Sequence, residues 1–287
     1  MTTAGLNKPV GKAPGRRKWS SSAVVTFFVL LVCLPLAGPV FVQFKKEIAR
    51  WYWAAAISHR KAKRFDEAAQ SLELALKYDP QSAKLIFERA RLRLLNKHYD
   101  EAMADVVDLL EDTDLRAEFR YQVGQIKATI LLKQHKVSAG LETLSQMVAE
   151  AKKLGGRQYA RALNNLAYHR TLANVDIGKA IVDVNKALRL CKESERPAYL
   201  DTRGWAYFRA GKYEQALADL QDAIKLFRPI YQSNIEADPD NEEIKKNLAV
   251  FLQHRSMAYK ALREDDKAAK DRQEIKELCL DPDKDLE

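Results

Sequence analysis

The chain has 287 residues, is 47% hydrophobic and 30% charged, and carries a formal net charge of +9. That length can bury a sizeable core, and sparse glycine and proline with apolar residues recurring at three and four point to an all-α chain. The three cysteines, Cys33, Cys191 and Cys279, show no CxxC or Cys/His spacing, which gives no support to a disulfide framework or a metal site.

The positive charge sits at the amino end. Residues 1–64 hold twelve lysines and arginines and one acid, Glu47, whereas residues 65–287 hold 36 basic and 38 acidic residues. A nucleic-acid binder would carry a basic stripe along its body, so no nucleic-acid partner is expected. Residues 1–22 read as a basic tail containing Lys8, Lys12, Arg16, Arg17 and Lys18. Residues 23–44, AVVTFFVLLVCLPLAGPVFVQF, carry no charge over 22 residues. About 20 apolar residues span a bilayer core, so the segment predicts one transmembrane helix acting as a signal anchor. A cleaved secretory signal is the alternative, against which stand the length of the apolar run and the lack of an A-x-A site. A buried core helix fits less well, because Pro35 and Pro39 interrupt it.

Lys45, Lys46 and Arg50 follow the segment, then Trp51, Tyr52 and Trp53, suited to a membrane interface. Five positive residues before the span against three after it place the repeat domain, residues 45–287, on the non-cytoplasmic side of a single-pass protein. The basic run Arg60, Lys61, Lys63 and Arg64 counts the other way.

From there a pattern recurs. Arg64-Phe65-Asp66-Glu67-Ala68 leads into Leu72, Ala75 and Tyr78-Asp79-Pro80, and His98-Tyr99-Asp100-Glu101-Ala102 leads into Val106 and Leu109. Looser copies centre on Gly140 (with Leu144 and Met147) and Ala180 (with Val184 and Ala187), and the last on Ala268, ending at Leu280-Asp281-Pro282. The clearest copy is YLDTRGWAYFRAGKYEQALADLQDAI, with Gly204, Tyr207, Tyr213, Ala216, Leu220 and Ala223 at fixed spacing and Gly211 at a helix-capping position. Ala68 to Ala102 is 34 residues; later steps are 38, 40, 36 and 52. The longest step contains Arg228-Pro229 and Asp238-Pro239-Asp240-Asn241, which predicts a lengthened second helix, an inserted turn and a new helix start at Asp240 or Asn241.

These motifs resemble the tetratricopeptide repeat family over roughly residues 50–282. The resemblance implies a right-handed superhelical solenoid of five to six helix hairpins, with small residues where helices cross. It departs from the family in having no tryptophan at the first-helix aromatic position, which holds Tyr52 and Leu200. The resemblance further implies that first helices line a concave groove. Carried over position by position, the groove residues are Trp53, Ile57 and Arg60; Lys84, Phe87 and Arg91; Gln122, Gln125 and Thr129; Asn165 and His169; and Asp201, Trp205, Phe208 and Arg209. Mixed aromatics and arginines are common interface anchors. Trp53 and Ile57 stand where a carboxylate-clamping lysine and asparagine would be, so that clamp is not expected.

The histidines, His59, His98, His135, His169 and His254, are far apart, and no nucleophile elbow, zinc-protease or phosphate-loop motif occurs. Asp238, Asp240 and Glu242 are better read as helix-start residues than as metal ligands. No cofactor and no catalysis are expected. The expected function is a membrane-anchored scaffold holding a protein or peptide in its groove. The alternatives are a homo-oligomeric structural or envelope-assembly component, assembling through its last repeat, and a non-catalytic subunit of an enzyme complex.

Overall fold

The structure is a computed structural model and describes residues 38–278. The described residues form twelve α-helices and no strand. In chain order they are α1 (Gly38–Lys61), α2 (Phe65–Tyr78), α3 (Ala83–Leu95), α4 (Tyr99–Glu111), α5 (Ala117–Lys133), α6 (Val137–Leu154), α7 (Gly156–Leu172), α8 (Ile177–Leu190), α9 (Arg196–Arg209), α10 (Tyr213–Ala237), α11 (Glu242–Ala261) and α12 (Asp265–Glu277). They make six hairpins, the upper end of the expected range. A short 3-10 turn, Glu193–Glu195, precedes α9. The chain divides into two compact units between Leu85 and Ile86, inside α3.

In the first unit α1 and α2 pack as a hairpin. Ala49, Ala56, Ala68, Leu72, Ala75 and Leu76 are buried between them, and Tyr52 stacks on Tyr78 at 5.9 Å. Most of the expected transmembrane segment, residues 23–37, lies outside the described residues. Residues 38–44 form the first turns of α1, which continues unbroken into the repeat. No helix among the described residues is long and apolar enough to cross a membrane.

The second unit is a tetratricopeptide-like solenoid. The second helix of each copy packs on the first helix of the next, α4 on α5, α6 on α7, α8 on α9 and α10 on α11. First helices of consecutive copies also meet, α7 on α9 and α9 on α11. The largest core runs through Leu163, Val184, Leu200, Ile224, Leu248, Leu252 and Ile275. Where helices cross, the small residues Ala102, Gly140, Ala180, Ala216 and Ala268 are all buried. A Cβ added to Gly204 would sit 2.7 Å from Leu220 Cγ and 3.2 Å from the Ala216 carbonyl oxygen. The glycine therefore sets how closely α9 meets α10.

All six hairpins, across both units, turn the same way. The residue that closes each first helix adopts positive φ: Lys63, Lys97, His135, Asn174, Gly211 or Arg263, with Asp176 adding a second in the turn after Asn174. The next residue's N–H donates five residues back to a first-helix carbonyl: Arg64 to His59, His98 to Arg93, Lys136 to Leu131, Val175 to Arg170, Lys212 to Tyr207 and Glu264 to Tyr259, at 2.8–2.9 Å. This is the Schellman closure of a helix end. Five of the six closing residues stand five positions before the small residue, and only the copy with Asn174 departs. Gly211 is the one such position where the sequence shows glycine.

A salt-bridge ladder fastens first helices to second helices within the second unit. Arg89 donates to Asp105, Arg203 to Asp219 and Arg255 to Asp271, each through Nε and Nη2 to both carboxylate oxygens. Arg93 adds a bond to Asp105 at 2.6 Å, and Arg170 pairs with Asp183. Each aspartate lies three residues after its copy's small residue, and Asp105, Asp219 and Asp271 are buried.

The long step before Ala268 is built as expected. α10 runs 25 residues through Pro229, and Arg228 is tied to Glu274 at 2.9 Å. An Asx turn follows, with the Asp240 N–H donating to Asp238 Oδ1. Asn241 then caps α11 by accepting from the Ile244 N–H at 3.1 Å, with Glu242 and Glu243 in the first turn. The expected last ending at Leu280-Asp281-Pro282 lies outside the described residues.

Candidate functional site

The side formed by the first helices of the second unit carries most of the expected groove residues. On α9, Trp205 is buried at 7% exposure, with its ring parallel to Phe208 at 4.8 Å and to His254 of α11 at 4.4 Å. His254 Nδ1 lies 2.9 Å from Asp201 Oδ1, and both groups are buried. Asp201, Trp205 and His254 therefore lock two consecutive first helices together. Arg209 is exposed, with its guanidinium 5.9 Å from the Trp205 ring, and Phe208 is half-buried against Tyr213.

On α7, Asn165 and His169 are half-buried. Burial lowers the His169 pKa, and the Lys133 cation at the end of α5 lowers it further, so the ring is neutral at pH 7. The neighbouring Tyr168 hydroxyl is pushed up by burial and by the Asp201 carboxylate. On α5, Gln125 and Thr129 are half-buried, and Thr129 Oγ1 donates back to the Gln125 carbonyl at 2.9 Å. Gln122 is exposed.

Sequence models of the tetratricopeptide repeat match residues 59–126 and 197–229. Both stretches are tetratricopeptide repeats. Solved structures share this architecture over most of the chain. A tetratricopeptide repeat protein from Parabacteroides merdae is 11% identical, with 80% of each chain covered and a TM-score of 0.56. Pseudomonas aeruginosa pilF is 18% identical, covering 82% of this chain and 93% of its own, at 0.55. PilW, described as a widely conserved type IV pilus biogenesis factor, is 16% identical, covering 80% of this chain and 93% of its own, at 0.58. At such identities the likeness is one of fold. A comparison with curated protein sequences gives no match.

The repeats explain why the groove positions divide into two kinds. Phe87 of α3 is buried, edge-on to Phe119 at 5.1 Å, with Arg91 over its ring at 5.9 Å and paired to Glu88. Phe87 and Trp205 are thus used to join neighbouring repeats, while Gln125, Asn165, His169, Phe208 and Arg209 keep accessible surface. In the first unit, Trp53, Ile57 and Arg60 of α1 are half-buried, and Lys84 Nζ stands 3.8 Å from the Trp53 ring centre. Sequence reasoning missed His254 as a member of the cluster. Its signal was available: His254 follows Asp201 by 53 residues, one more than the 52-residue step between Ala216 and Ala268.

A second polar cluster was also missed. The Glu195 carboxylate accepts from Arg161 Nε at 2.7 Å and Arg157 Nε at 3.1 Å. Burial works to raise its pKa, but these two donors outweigh burial and hold it below the ordinary value. The buried hydroxyl of Tyr199 nearby is raised by burial first and then by Glu195. Among the described residues no group of three or more histidines, cysteines and acids could hold a metal. The Asp201–His254 pair touches aromatic rings and offers no nucleophile, so its geometry suits fixing helices.

Proposed function

We propose that the chain is a non-catalytic interaction scaffold that holds a peptide or protein segment on the first-helix side of its second unit. The observation that carries this reading is the accessible row Gln125, Asn165, His169, Phe208 and Arg209 across three first helices of a tetratricopeptide fold. The row combines hydrogen-bonding groups, one aromatic and one cation, a mixture suited to an extended peptide. In this reading Trp205 and Phe87 give the row its rigidity and make no contact with the partner.

Photocrosslinking from the full-length chain tests it. Benzoylphenylalanine at His169 or Phe208 should capture a partner, and the same group at exposed Val182 of α8 should not. Equal capture from both sides sinks the assignment.

The scaffold is further proposed to be tethered by residues 23–44, with its repeats on the non-cytoplasmic side. Support comes from the uncharged run 19–44 and the five lysines and arginines before it. Release of the chain from membranes by alkaline carbonate would defeat the tether. Self-assembly through the last repeat is less well supported. The solvent side of α12 is Asp266, Lys267, Lys270, Gln273 and Lys276, a polar surface of the kind that ends a solenoid.

A further inference from the structure

The first unit contains a cavity of about 340 Å³ between α1 and the α2–α3 connection. Its α1 wall is Lys46, Ala49, Arg50 and Trp53, one face of the helix at i, i+3, i+4 and i+7. The opposite wall is Asp79, Ser82, Lys84 and Leu85. Buried Ala49 and Leu85 form an apolar floor. Three cations therefore face one carboxylate, that of Asp79, across the cavity. Arg50 is paired with Glu47 outside it, and Lys84 lies over the Trp53 ring. The Trp53 indole N–H is buried and has no acceptor. Net positive charge, a spare N–H donor, the Ser82 hydroxyl and an apolar floor together suit an anionic headgroup that carries acyl chains.

Position along the chain favours the same ligand. The uncharged run ends at Phe44, and Phe41, Val42, Phe44 and Trp51 are exposed apolar residues of α1. At about 1.5 Å per residue, Lys46 and Arg50 stand roughly 3 and 9 Å beyond Phe44 along the helix. The headgroup layer is of that order of thickness.

We propose that this cavity binds the phosphate headgroup of an anionic phospholipid, fixing the first repeat against the membrane surface. The proposal rests on the tether reading, since Phe44 must lie near the hydrocarbon edge for the cavity to meet headgroups. Lys46, Arg50 and Lys84 neutralise the phosphate, the Trp53 N–H and Ser82 hydroxyl donate to its oxygens, and the acyl chains leave along the exposed apolar side of α1.

The test uses the full-length chain in nanodiscs of equal phosphatidylglycerol and phosphatidylcholine, with retained lipid read by native mass spectrometry. The wild type should keep phosphatidylglycerol in excess over phosphatidylcholine. Lys46→Gln and Lys84→Gln should each reduce that excess about five-fold. Lys61→Gln, at the far end of α1, should leave it unchanged. An excess that survives the double variant K46Q/K84Q overturns the site while leaving the tether standing. Displacement of the retained lipid by millimolar inorganic phosphate assigns the cavity to the free anion and overturns the lipid assignment. Failure of the wild type to float with phosphatidylcholine vesicles overturns the tether and this site with it.

Discussion

Arg203 of α9 holds both carboxylate oxygens of Asp219 on α10, Nε to Oδ2 at 2.6 Å and Nη2 to Oδ1 at 2.7 Å. Arg255 and Asp271 repeat the geometry at 2.9 and 2.6 Å, with the same 16-residue separation. The aspartates are buried; burial works to lower the pKa of each arginine, most strongly at Arg255, and the facing carboxylate outweighs it and raises the pKa at both. Both arginines are thus charged at any ordinary pH. Asp219→Asn or Asp271→Asn leaves a guanidinium half out of water without its counter-charge. Each should cost about 1.5–3 kcal/mol, the range for hydrogen bonds to charged groups. Arg203→Lys keeps the charge but loses the fork and should cost less than Asp219→Asn. Urea denaturation checks the order, and losses near zero at both sites would show the ladder to be incidental.

Glycine substitutions separate close crossing from open space. Gly204→Ala drives a methyl into Leu220 and towards the Ala216 carbonyl, and should destabilise by about 1–3 kcal/mol. Gly178 lies in α8 with nothing within 4 Å of an added Cβ. Gly178→Ala should therefore stabilise by about 0.5 kcal/mol through reduced backbone entropy of the unfolded chain. Thermal melts of the two variants should move in opposite directions.

The turns make a third prediction. Lys97, His135 and Arg263 occupy the left-handed region, where a Cβ costs roughly 1–2 kcal/mol relative to glycine. Replacing any one by glycine should stabilise by somewhat less, about 1 kcal/mol, because glycine also loosens the unfolded chain. Gly211→Ala should destabilise by a similar amount. If Lys97→Gly lowers the melting temperature, the side chain of Lys97 contributes more than its backbone strain costs.

These comparisons show what the sequence could reveal. The frame of small residues at Ala68, Ala102, Gly140, Ala180, Ala216 and Ala268 narrowed the hairpin number to five or six and set the helix order, because close crossing tolerates few residue types. The turn geometry was legible only at Gly211. Lysine, histidine and arginine pay the left-handed cost elsewhere and leave no glycine to read. The aspartates three residues after Ala102, Ala180, Ala216 and Ala268 were visible as charges, and their partners became apparent only with the first helix beside them. The groove was the least legible part. A position facing inward by period can still be taken up by the next repeat, as Trp205 is by His254 and Phe87 by Phe119. Accessibility of Asn165, His169 and Arg209 depends on that competition between neighbours, which periodicity does not encode.

His169 makes the last prediction, and it links the proposed binding row to pH. Burial first, and the Lys133 cation second, place its folded pKa below the ordinary imidazole value. In the unfolded chain the ring titrates near ~6.5. Between the two values the unfolded state carries a proton that the folded state refuses. Stability from this site is therefore full above ~6.5, falls as pH drops through it, and reaches its floor below the folded pKa. His169→Gln removes the titration while keeping a polar side chain of similar reach. Urea unfolding at pH 7.5 and 5.5 should show a smaller loss on acidification in the variant than in the wild type. Identical losses would mean that the ring accepts its proton in the folded protein, and that Lys133 and burial do not hold it neutral.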